Sequence, residues 1–442
     1  MGNGNALTHN FDLVIIGGGI LGTSISYFLG FLNKTKQIAV IEQAHNVAFH
    51  TSGRNTGKVH APYLYNPERK KMFAKASFHG YEMWEEYAKL KSLPFKKDGV
   101  IEVSLDEKGT KVLEKYFKWG KQNGLQDNDI KLMDKNELKK IEPEIRCESA
   151  LYVYKDGSTD YSKVTDTLMK DSIDNGINFM LDTKVTNIKK VDGKWKITLN
   201  NKHEIFANFV INAAGGEAID IAHKISVAEP FTDVHFRGEY WRAPKEYNNL
   251  TKTSVYSVPE YPDYPFLDPH WIIRVDGSCE IGPNAVPVFS PYGYNKTENI
   301  KEFIPKMLEM LGSGARKIIF DKQFQELAIN EIQSSMSKSA MINRVKRFLP
   351  KIDAEKITER GTAGIRSSVI NEKGQFVPDV ILEGDSMSFH ILNYNSPGAT
   401  GALPFSAYVV NHLNKQGMFE SESSDAQCGP WRFSNIIEKL AL

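Results

Sequence analysis

Two short apolar runs separated by a helix-length segment stand near the start of the chain. Leu13-Val14-Ile15-Ile16 and Ile38-Ala39-Val40-Ile41 contain no polar residue, which is typical of parallel strands buried on both faces. Residues 20–32 between them are long enough for a helix that connects the two strands. The order strand, turn, helix, strand predicts a βαβ unit.

Helical and strand-like patterns alternate along the rest of the chain. Helices are predicted over Glu68–Ser92, Glu107–Asn123, Asp134–Ile141, Ser162–Asn175, Lys301–Leu311, Phe320–Asn343 and, after a turn at Ser396–Gly401, Ala402–Leu413. Strands are predicted over Val100–Val103, Asn178–Leu181, Lys194–Leu199, Phe206–Val210, His390–Asn393 and much of Val234–Ile281. This mixture indicates the α/β (α+β) class, in which βα units are combined with antiparallel strands.

The turn after the first strand has the spacing G-x-G-x-x-G, formed by Gly17, Gly19 and Gly22. Gly17 permits the tight turn, Gly19 has no side chain to keep a pyrophosphate from the backbone, and Gly22 lets the helix approach the strand. The helix N-terminus offers unpaired N–H groups to phosphates. Glu42 ends the second strand, where an acid can bind a ribose. Together these features predict a dinucleotide site, and they leave open whether the ligand is NAD or FAD.

The order of the predicted elements also suggests a division into domains. A discontinuous Rossmann-like nucleotide-binding domain is predicted over residues 1–90, 145–230 and 345–415. An antiparallel-sheet substrate domain would comprise residues 91–144 and 231–344, and residues 416–442 would form a C-terminal tail or helix. A chain of 442 residues is long enough for two or three domains.

Charge and cysteine content exclude several function classes. The chain has 55 Lys and Arg against 54 Asp and Glu, so its balance gives no reason to expect nucleic acid. Its three cysteines, Cys147, Cys279 and Cys428, are isolated, and no Cys/His cluster suggests a metal. Sparse cysteines fit a reducing compartment.

The two ends of the chain bear on localisation. The N-terminal residues are polar and show no signal peptide, and no run approaches the length of a membrane span. A cytoplasmic protein is therefore predicted, with peripheral contact to the inner face of a membrane as an alternative. The C-terminal apolar residues have helical spacing and predict a helix packed on the body, or a surface for membrane or subunit docking; they are Trp431, Phe433, Ile436, Ile437 and Leu440.

Five ordered segments carry a family resemblance that extends from Phe11 to about Leu413. They are Thr51–His60 (TSGRNTGKVH), Phe236–Tyr240 (FRGEY), Pro265–Ala285 (PFL, His270, DGS and GPNA), Gly364–Arg366 (GIR) and His390–Thr400 (HILN and SPGAT). They resemble the FAD-dependent oxidoreductases of the D-amino-acid-oxidase type, and among these most closely the L-2-hydroxyglutarate dehydrogenase/oxidase family. The resemblance implies a Rossmann-like FAD-binding domain and favours FAD over NAD.

The resemblance implies FAD contacts well beyond the glycine turn. FAD is expected to bind non-covalently, because no cysteine stands where a covalent link would form. The N-terminus of the last helix is expected to stabilise negative charge on the reduced flavin. The candidate cofactor-binding residues are Gly17, Gly19, Ile20, Leu21, Gly22, Glu42, Gln43, Thr51, Ser52, Arg54, Asn55, Gly57, Val59, Val185, Ala213, Ala214, Gly215, Arg366, Pro397, Gly398, Ala399, Thr400 and Gly401.

The implied reaction is oxidation of a 2-hydroxy acid to a 2-oxo acid, with L-2-hydroxyglutarate as the expected substrate. Such a reaction needs a cation to hold the carboxylate and a base to take the hydroxyl proton. Arg366 is the first candidate for the cation, and Arg237 with Tyr240 the second. His60 and His270 are the candidates for the base.

Some residues depart from the family pattern. Lys58 stands where the family usually has an apolar residue, Pro62 replaces a glycine and Asn395 replaces a proline. Lys58 and Pro62 flank His60, so they leave the identity of the acid open.

Several alternatives therefore remain. The same fold would also suit glycerol 3-phosphate or an amino acid as substrate, a non-catalytic flavin-binding subunit, or, less well, a nicotinamide-dependent dehydrogenase. The electron acceptor, which is oxygen, a quinone or a carrier protein, is not indicated by the sequence.

Overall fold

The computed structural model describes residues 9–260, 268–294, 296–395, 398–418 and 426–440. The strands are β1 (His9–Ile16), β2 (Ile38–Ile41), β3 (Lys58–Val59), β4 (Phe95–Lys96), β5 (Val100–Ser104), β6 (Ile130–Asp134), β7 (Ser149–Val153), β8 (Gly157–Thr159), β9 (Asn178–Met180), β10 (Val185–Val191), β11 (Lys194–Leu199), β12 (Glu204–Asn212), β13 (Thr232–Gly238), β14 (Trp241–Arg242), β15 (Ser254–Ser257), β16 (His270–Ile273), β17 (Cys279–Gly282), β18 (Val286–Val288), β19 (Glu359–Arg360), β20 (Gly364–Ile370), β21 (Ile381–Gly384), β22 (Ser388–Leu392), β23 (Gln427–Cys428) and β24 (Trp431–Arg432). The helices are α1 (Ile20–Leu32), α2 (Lys71–Lys91), α3 (Glu107–Gln122), α4 (Lys135–Ile141), α5 (Tyr161–Asp174), α6 (Ala218–His223), α7 (Lys296–Lys301), α8 (Phe303–Gly312), α9 (Arg316–Ile319), α10 (Lys322–Met336), α11 (Lys338–Lys346), α12 (Gly398–Lys415) and α13 (Phe433–Lys439).

The first sheet is built around the predicted βαβ unit. Its strands lie in the order β10-β11-β12-β1-β2-β9, and β22 pairs with β12 and β21. β1 is parallel to both β2 and β12, with Val14 beside Ala39 and Val210. The apolar runs of β1 and β2 are buried, as parallel strands covered on both faces require. The prediction of a Rossmann-like α/β fold is confirmed.

α1, α5 and α12 pack against one face of this sheet, and α2 packs on α12. α1 is buried along almost its whole length, because it packs against α5 and α12 while α12 packs in turn against α2. Its apolar and small residues, rather than a single amphipathic stripe, suit a helix surrounded by protein. α5 begins at Asp160, whose carboxylate accepts the backbone N–H groups of Ser162 and Lys163.

A second sheet of eight strands has the order β19-β14-β17-β16-β15-β5-β7-β6. All its pairs are antiparallel except β5 with β15, so it has the character predicted for the substrate domain. β7 belongs to this sheet, whereas the sequence assigned residues 145–230 to the nucleotide-binding domain. The order of elements along the chain did not show that β7 belongs to the second sheet. β7 pairs with β5 and β6, and only after it does the chain return to the first sheet.

Smaller sheets connect the two large ones. β13 pairs with β18 and β20 in an antiparallel sheet that brings residues 232–238 beside residues 364–370. β8 pairs with β3 and β4, so that Lys58 lies opposite Ser158. This last pairing positions one wall of the site described below.

The helical segment α7–α11 is divided into more helices than predicted. A single helix over Phe320–Asn343 was expected, but the structure ends α10 at Met336 and begins α11 at Lys338. Ser337 separates them with extended backbone, and its hydroxyl accepts the N–H of Ala340 as an N-cap. The prediction of one helix was wrong because a capping serine looks like an ordinary polar position in a helical pattern.

The C-terminal segment packs on the body. Trp431, Phe433, Ile436 and Leu440 are buried in the same core as α1. The indole of Trp431 stacks with Tyr87. The prediction of a packed helix is therefore confirmed, and these residues are not available for docking.

Candidate active site

The glycine turn joins β1 to α1 with contacts that no side chain would permit. Gly17 has a φ of +110°, and a Cβ there would lie 2.4 Å from the carbonyl oxygen of Ala213. A Cβ on Gly22 would lie 2.0 Å from the carbonyl oxygen of Gly17. The turn therefore brings the N-terminus of α1 against β1 and β12, where its N–H groups face the cavity at the carboxyl ends of these strands.

Glu42 lies at the end of β2, beside this turn. Its carboxylate accepts the backbone N–H groups of Gly18 and Ala44, both at 2.8 Å. Burial raises the pKa of Glu42, and these N–H groups oppose the rise. The carboxylate is thereby fixed in place, with further lone pairs that can accept hydrogen bonds from ribose hydroxyls.

One long cavity runs from Glu42 to His60, the residue that follows β3. Near Glu42 it is bordered by Thr183 and Val185, and at its other part by His60 and Arg366. Sixteen of the predicted cofactor-binding residues line it, namely Gly17, Gly19, Ile20, Leu21, Glu42, Gln43, Thr51, Ser52, Asn55, Val185, Ala213, Ala214, Gly215, Arg366, Gly398 and Ala399.

The other predicted cofactor residues lie behind the lining. Gly57 and Val59 hold β3 against β8, and Gly401 packs against Ala76 of α2. The side chain of Arg54 binds the carbonyl of Phe49. Gly22 supports the turn, Thr400 binds the backbone of His60, and Pro397 lies outside the described residues.

The cavity fits FAD along its length. The glycine turn provides a cradle for a pyrophosphate, because a Cβ on Gly17 or Gly22 would collide with backbone that forms it. Glu42 lies on the ribose side, and Gly398 opens α12 at the flavin side beside His60 and Arg366. An 18-residue helix begins there, so the positive end of its dipole lies at the cavity.

Substitution of Gly22 by alanine is expected to weaken FAD binding. The new methyl group would meet the carbonyl oxygen of Gly17 at 2.0 Å, so α1 must shift away from the turn. Overpacking of about 1–3 kcal/mol corresponds to a loss of roughly 5- to 150-fold in FAD affinity, measurable by flavin fluorescence. Gly312→Ala is the matched control, because a Cβ at Gly312 meets nothing within 4 Å. If the two variants bound FAD with equal affinity, the glycine turn would not be the pyrophosphate cradle.

His60 is held by a carboxylate that sequence analysis did not identify. Its Nδ1 lies 3.1 Å from Oδ2 of Asp156, which is completely buried. The backbone N–H of His60 donates to Oγ1 of Thr400 at 3.0 Å, and its carbonyl accepts the hydroxyl of Ser77. The imidazole is thus fixed from several sides, with Nε2 left for the cavity.

His270 is placed differently from the other candidate base. Its ring stacks on Tyr256 at 3.9 Å between centroids, and Tyr256 in turn contacts the ring of His60. Burial, together with the charges of His60 and Arg366, lowers the pKa of His270 to about 3. It is not part of the described lining of the cavity. A group with so low a pKa holds a proton poorly at neutral pH, which favours His60 as the base.

The two candidate carboxylate-binding arginines also differ. Arg366 lines the cavity from β20, and burial lowers its pKa while Tyr65 and Tyr240 oppose this effect. Arg237 lies on the neighbouring strand, but its guanidinium is bound to Glu239 at 2.9 Å and to the carbonyl of Gly293. It and Tyr240 lie outside the described lining, so the structure brings only Arg366 together with His60.

The residues missed by sequence analysis come from distant segments. Asp156 lies in the turn between β7 and β8, and only the pairing of β8 with β3 brings it beside His60. Tyr161, Lys184 and Tyr292 also line the cavity. The Asp-Gly pair at Asp156 signals a turn, but nothing local indicates its partner.

The comparisons with known proteins agree with this geometry. The family described as FAD dependent oxidoreductase (DAO) matches residues 12–411. Among relatives, L-2-hydroxyglutarate dehydrogenase of Indibacter alkaliphilus is 30% identical over 412 residues, which cover 92% of this chain and 100% of the relative. The mitochondrial L-2-hydroxyglutarate dehydrogenase of Bos taurus is 29% identical and covers 94% and 91%, respectively.

Solved structures share the fold. L-alpha-glycerophosphate oxidase from Mycoplasma pneumoniae with FAD bound has a TM-score of 0.73 at 21% identity, covering 92% of this chain and 95% of that one. Glycine oxidase from Geobacillus kaustophilus has a TM-score of 0.67 at 15% identity, covering 96% and 99%. At these identities the likeness concerns the fold alone, and the predicted cofactor, FAD, is confirmed by the family match.

Proposed function

Since the chain belongs to the family of FAD-dependent oxidoreductases, we propose that it oxidises a 2-hydroxy acid, L-2-hydroxyglutarate, to the 2-oxo acid, 2-oxoglutarate. The observation that supports this proposal is the meeting of Arg366 with the His60–Asp156 pair in one cavity, next to the first turn of α12. A 2-hydroxy acid presents a carboxylate and a hydroxyl on adjacent carbons, which match a cation and a base. The relatives named L-2-hydroxyglutarate dehydrogenase support the choice of acid.

Arg366 and His60 have different roles in this oxidation. Arg366 binds the carboxylate next to the reacting carbon and fixes its orientation. His60 accepts the hydroxyl proton at Nε2, because Nδ1 is engaged with Asp156. FAD, when bound, supplies the oxidant that takes the hydride from the substrate carbon. The buried aromatic residues Tyr65, Tyr161 and Tyr256 keep water away from this end of the cavity.

The direct test is anaerobic reduction of the bound flavin. Purified holoenzyme is mixed without oxygen with L-2-hydroxyglutarate, its D-enantiomer, glycerol 3-phosphate or an amino acid, and loss of visible flavin absorbance is followed. We expect rapid reduction by L-2-hydroxyglutarate and much slower reduction by the others. Faster reduction of the flavin by another donor would show that the substrate assignment is wrong. If no donor reduces the flavin, the protein is better described as a non-catalytic flavin protein.

One argument for glycerol 3-phosphate as the substrate is that Lys58, which flanks His60 in the sequence, could pair with its phosphate. The structure speaks against this pairing. The ammonium of Lys58 is fully buried and donates to Asp98 at 2.9 Å and to the carbonyl of Gly99 at 3.2 Å. A cation already paired and enclosed in protein is poorly placed to bind a substrate phosphate.

The reaction also needs an electron acceptor, which is oxygen, a quinone or a carrier protein. Among the described residues, no helix is both long and apolar enough to cross a membrane. Peripheral contact with an anionic membrane, which would give access to a quinone, is favoured by the outer faces of α8 and α10. These helices bury Met310, Phe324 and Leu327 on the same small sheet, and their opposite faces are apolar yet exposed.

The composition of these faces suits a membrane better than a protein interface. Isoleucine and leucine predominate, and Lys301, Arg316, Lys317 and Lys322 lie at the ends of the helices, whereas lysine is depleted in protein interfaces. Five acidic residues share the segment 300–336 with these basic ones, so apolar insertion is expected to contribute most. The exposed apolar residues are Ile300, Phe303, Ile304, Leu308, Leu311, Phe320, Ile329, Ile332 and Met336.

Flotation with anionic phospholipid vesicles tests this contact. The holoenzyme is expected to float with the vesicles, and Ile304→Asp with Leu308→Asp should abolish flotation because both side chains are 67% exposed. Leu90→Asp with Ile173→Asp is the control, since these exposed apolar residues lie on α2 and α5 instead. A holoenzyme that stays in the aqueous fraction, or floats equally after both substitutions, would contradict the surface.

A further inference from the structure

Lys58, the residue that departs from the family pattern, lies in a buried group of charges. Its ammonium is 2.9 Å from Oδ1 of Asp98 and 3.8 Å from Oδ1 of Asp156, and its side chain is fully buried. Asp98 is also nearly buried and accepts the hydroxyl of Ser158. The pairing of β3 with β8 brings these residues together at one side of His60.

Asp156 occupies the centre of this group. Its Oδ2 accepts from Nδ1 of His60 and from the backbone N–H of Ala61, both at 3.1 Å. Its Oδ1 has no hydrogen-bond partner in the described part of the chain and faces the ammonium of Lys58. An enclosed carboxylate is costly unless a cation compensates it, and Lys58 is the cation in position to do so.

The charges in this group can balance the positive charge that the imidazole gains when it accepts the substrate proton. Lys58 contributes one positive charge, and Asp98 and Asp156 contribute two negative ones. The group becomes neutral when His60 takes up a proton. The other titratable groups nearby are His270, whose pKa is lowered by burial, Glu102, whose pKa burial raises to about 8, and the cation Arg366. Burial also raises the pKa values of the surrounding phenols, so these phenols and His270 stay uncharged at neutral pH; the phenols are those of Tyr63, Tyr65, Tyr81, Tyr161 and Tyr256.

We propose that Asp156 and Lys58 are positioning residues for His60. Asp156, which can only accept while ionised, keeps the imidazole proton on Nδ1 and leaves the lone pair of Nε2 free for the hydroxyl proton of the substrate. Lys58 lies 3.8 Å from Oδ1 of Asp156 and limits the negative charge around the imidazole. This inference deepens the proposed function and rests on it for the role of His60 as the base.

The first test reads the tautomer of His60 without any substrate. Nitrogen-15 histidine is incorporated into the holoenzyme, and the His60 signals among the eleven histidines are assigned by comparison with His60→Gln. We expect Nδ1 protonated and Nε2 unprotonated in the natural protein. In Asp156→Asn the amide can donate to Nδ1, and the proton should move to Nε2. An Nε2-protonated His60 in the natural protein would overturn the proposal.

The second test uses charge changes of opposite sign. In Lys58→Met the surplus negative charge retains a proton on His60, so the acidic limb of the kcat/KM profile should move to higher pH. Asp98→Asn removes a negative charge and should move the acidic limb to lower pH. Lys58→Arg keeps the positive charge, so its acidic limb should lie where it does in the natural protein. Asp156→Asn should lower the rate constant of flavin reduction by about 100-fold or more, with bound FAD retained.

The two tests separate this inference from the proposed function. If no 2-hydroxy acid reduces the flavin but the tautomer still changes in Asp156→Asn, the positioning stands and the proposed function fails. The opposite outcome is that L-2-hydroxyglutarate reduces the flavin, but Lys58→Met and Asp98→Asn move the acidic limb of the kcat/KM profile in the same direction or not at all. The proposed function would then stand, and the proposed role of Lys58 would be wrong.

Discussion

Replacing His60 by glutamine is expected to lower the rate constant of flavin reduction by a factor of about 100 to 10,000, the usual contribution of a positioned general base. Glutamine keeps a similar length and can still accept from neighbouring N–H groups, but it cannot take up a proton. The rate constant is measured by anaerobic stopped-flow mixing of the reduced substrate with oxidised holoenzyme. Affinity for the acid should change much less, because the carboxylate is bound by Arg366.

His270→Gln is the matched control for this experiment. His270 stacks on Tyr256 two rings away from His60, and its pKa of about 3 leaves it neutral and weakly basic. Its replacement should therefore slow flavin reduction far less than His60→Gln. If His270→Gln gives the larger loss while FAD stays bound, the base has been assigned to the wrong histidine.

The low pKa of His270 also affects stability, with a sign that follows from proton linkage. The folded protein keeps His270 neutral down to about pH 3, whereas the unfolded chain protonates it near its ordinary value of 6.5. Between these values the unfolded state binds more protons, so His270 favours unfolding as the pH falls through this window. The effect is absent above neutral pH, where both states carry a neutral imidazole.

Local signals in the sequence were sufficient to predict the cofactor end of the site. The runs Leu13–Ile16 and Ile38–Ile41, the glycine spacing and Glu42 lie within thirty residues of one another, and each has a meaning independent of distant segments. The structure places these residues around one cavity, as expected. The start of α12 was predicted too late, because the small residues at 398–401 look like a turn although they begin the helix.

The substrate end depends on pairings that no local pattern reveals. Asp156 is 96 residues from His60 in sequence, and its role follows only from the pairing of β8 with β3. Arg237 was predicted as a second clamp because it stands in a recognisable segment, but Glu239 two residues later binds its guanidinium. Sequence motifs therefore identified the right segments, whereas partners that neutralise or orient a side chain required the fold.

Replacing Arg366 by methionine is expected to lower kcat/KM for 2-hydroxy acids by roughly 30- to 4,000-fold, which corresponds to about 2–5 kcal/mol for loss of one partner of an enclosed, hydrogen-bonded charge pair. Methionine fills a similar space on β20 without a charge. The loss should affect every 2-hydroxy acid alike, since all of them carry the carboxylate that Arg366 binds. Steady-state rates and anaerobic titrations across a series of acids measure it.

Lys70 supplies the comparison that identifies which carboxylate Arg366 binds. It lies close enough to Arg366 for that charge, added to the effect of burial, to lower the pKa of Lys70. The carboxylate of Asp379 is also near enough to oppose this lowering. We expect Lys70 to attract the second carboxylate of a dicarboxylic acid. Lys70→Met should lower kcat/KM for L-2-hydroxyglutarate and leave kcat/KM for a monocarboxylic 2-hydroxy acid nearly unchanged. If Arg366→Met instead spares the monocarboxylic acids, Arg366 binds the distal carboxylate, and the cation beside the reacting carbon must be another residue.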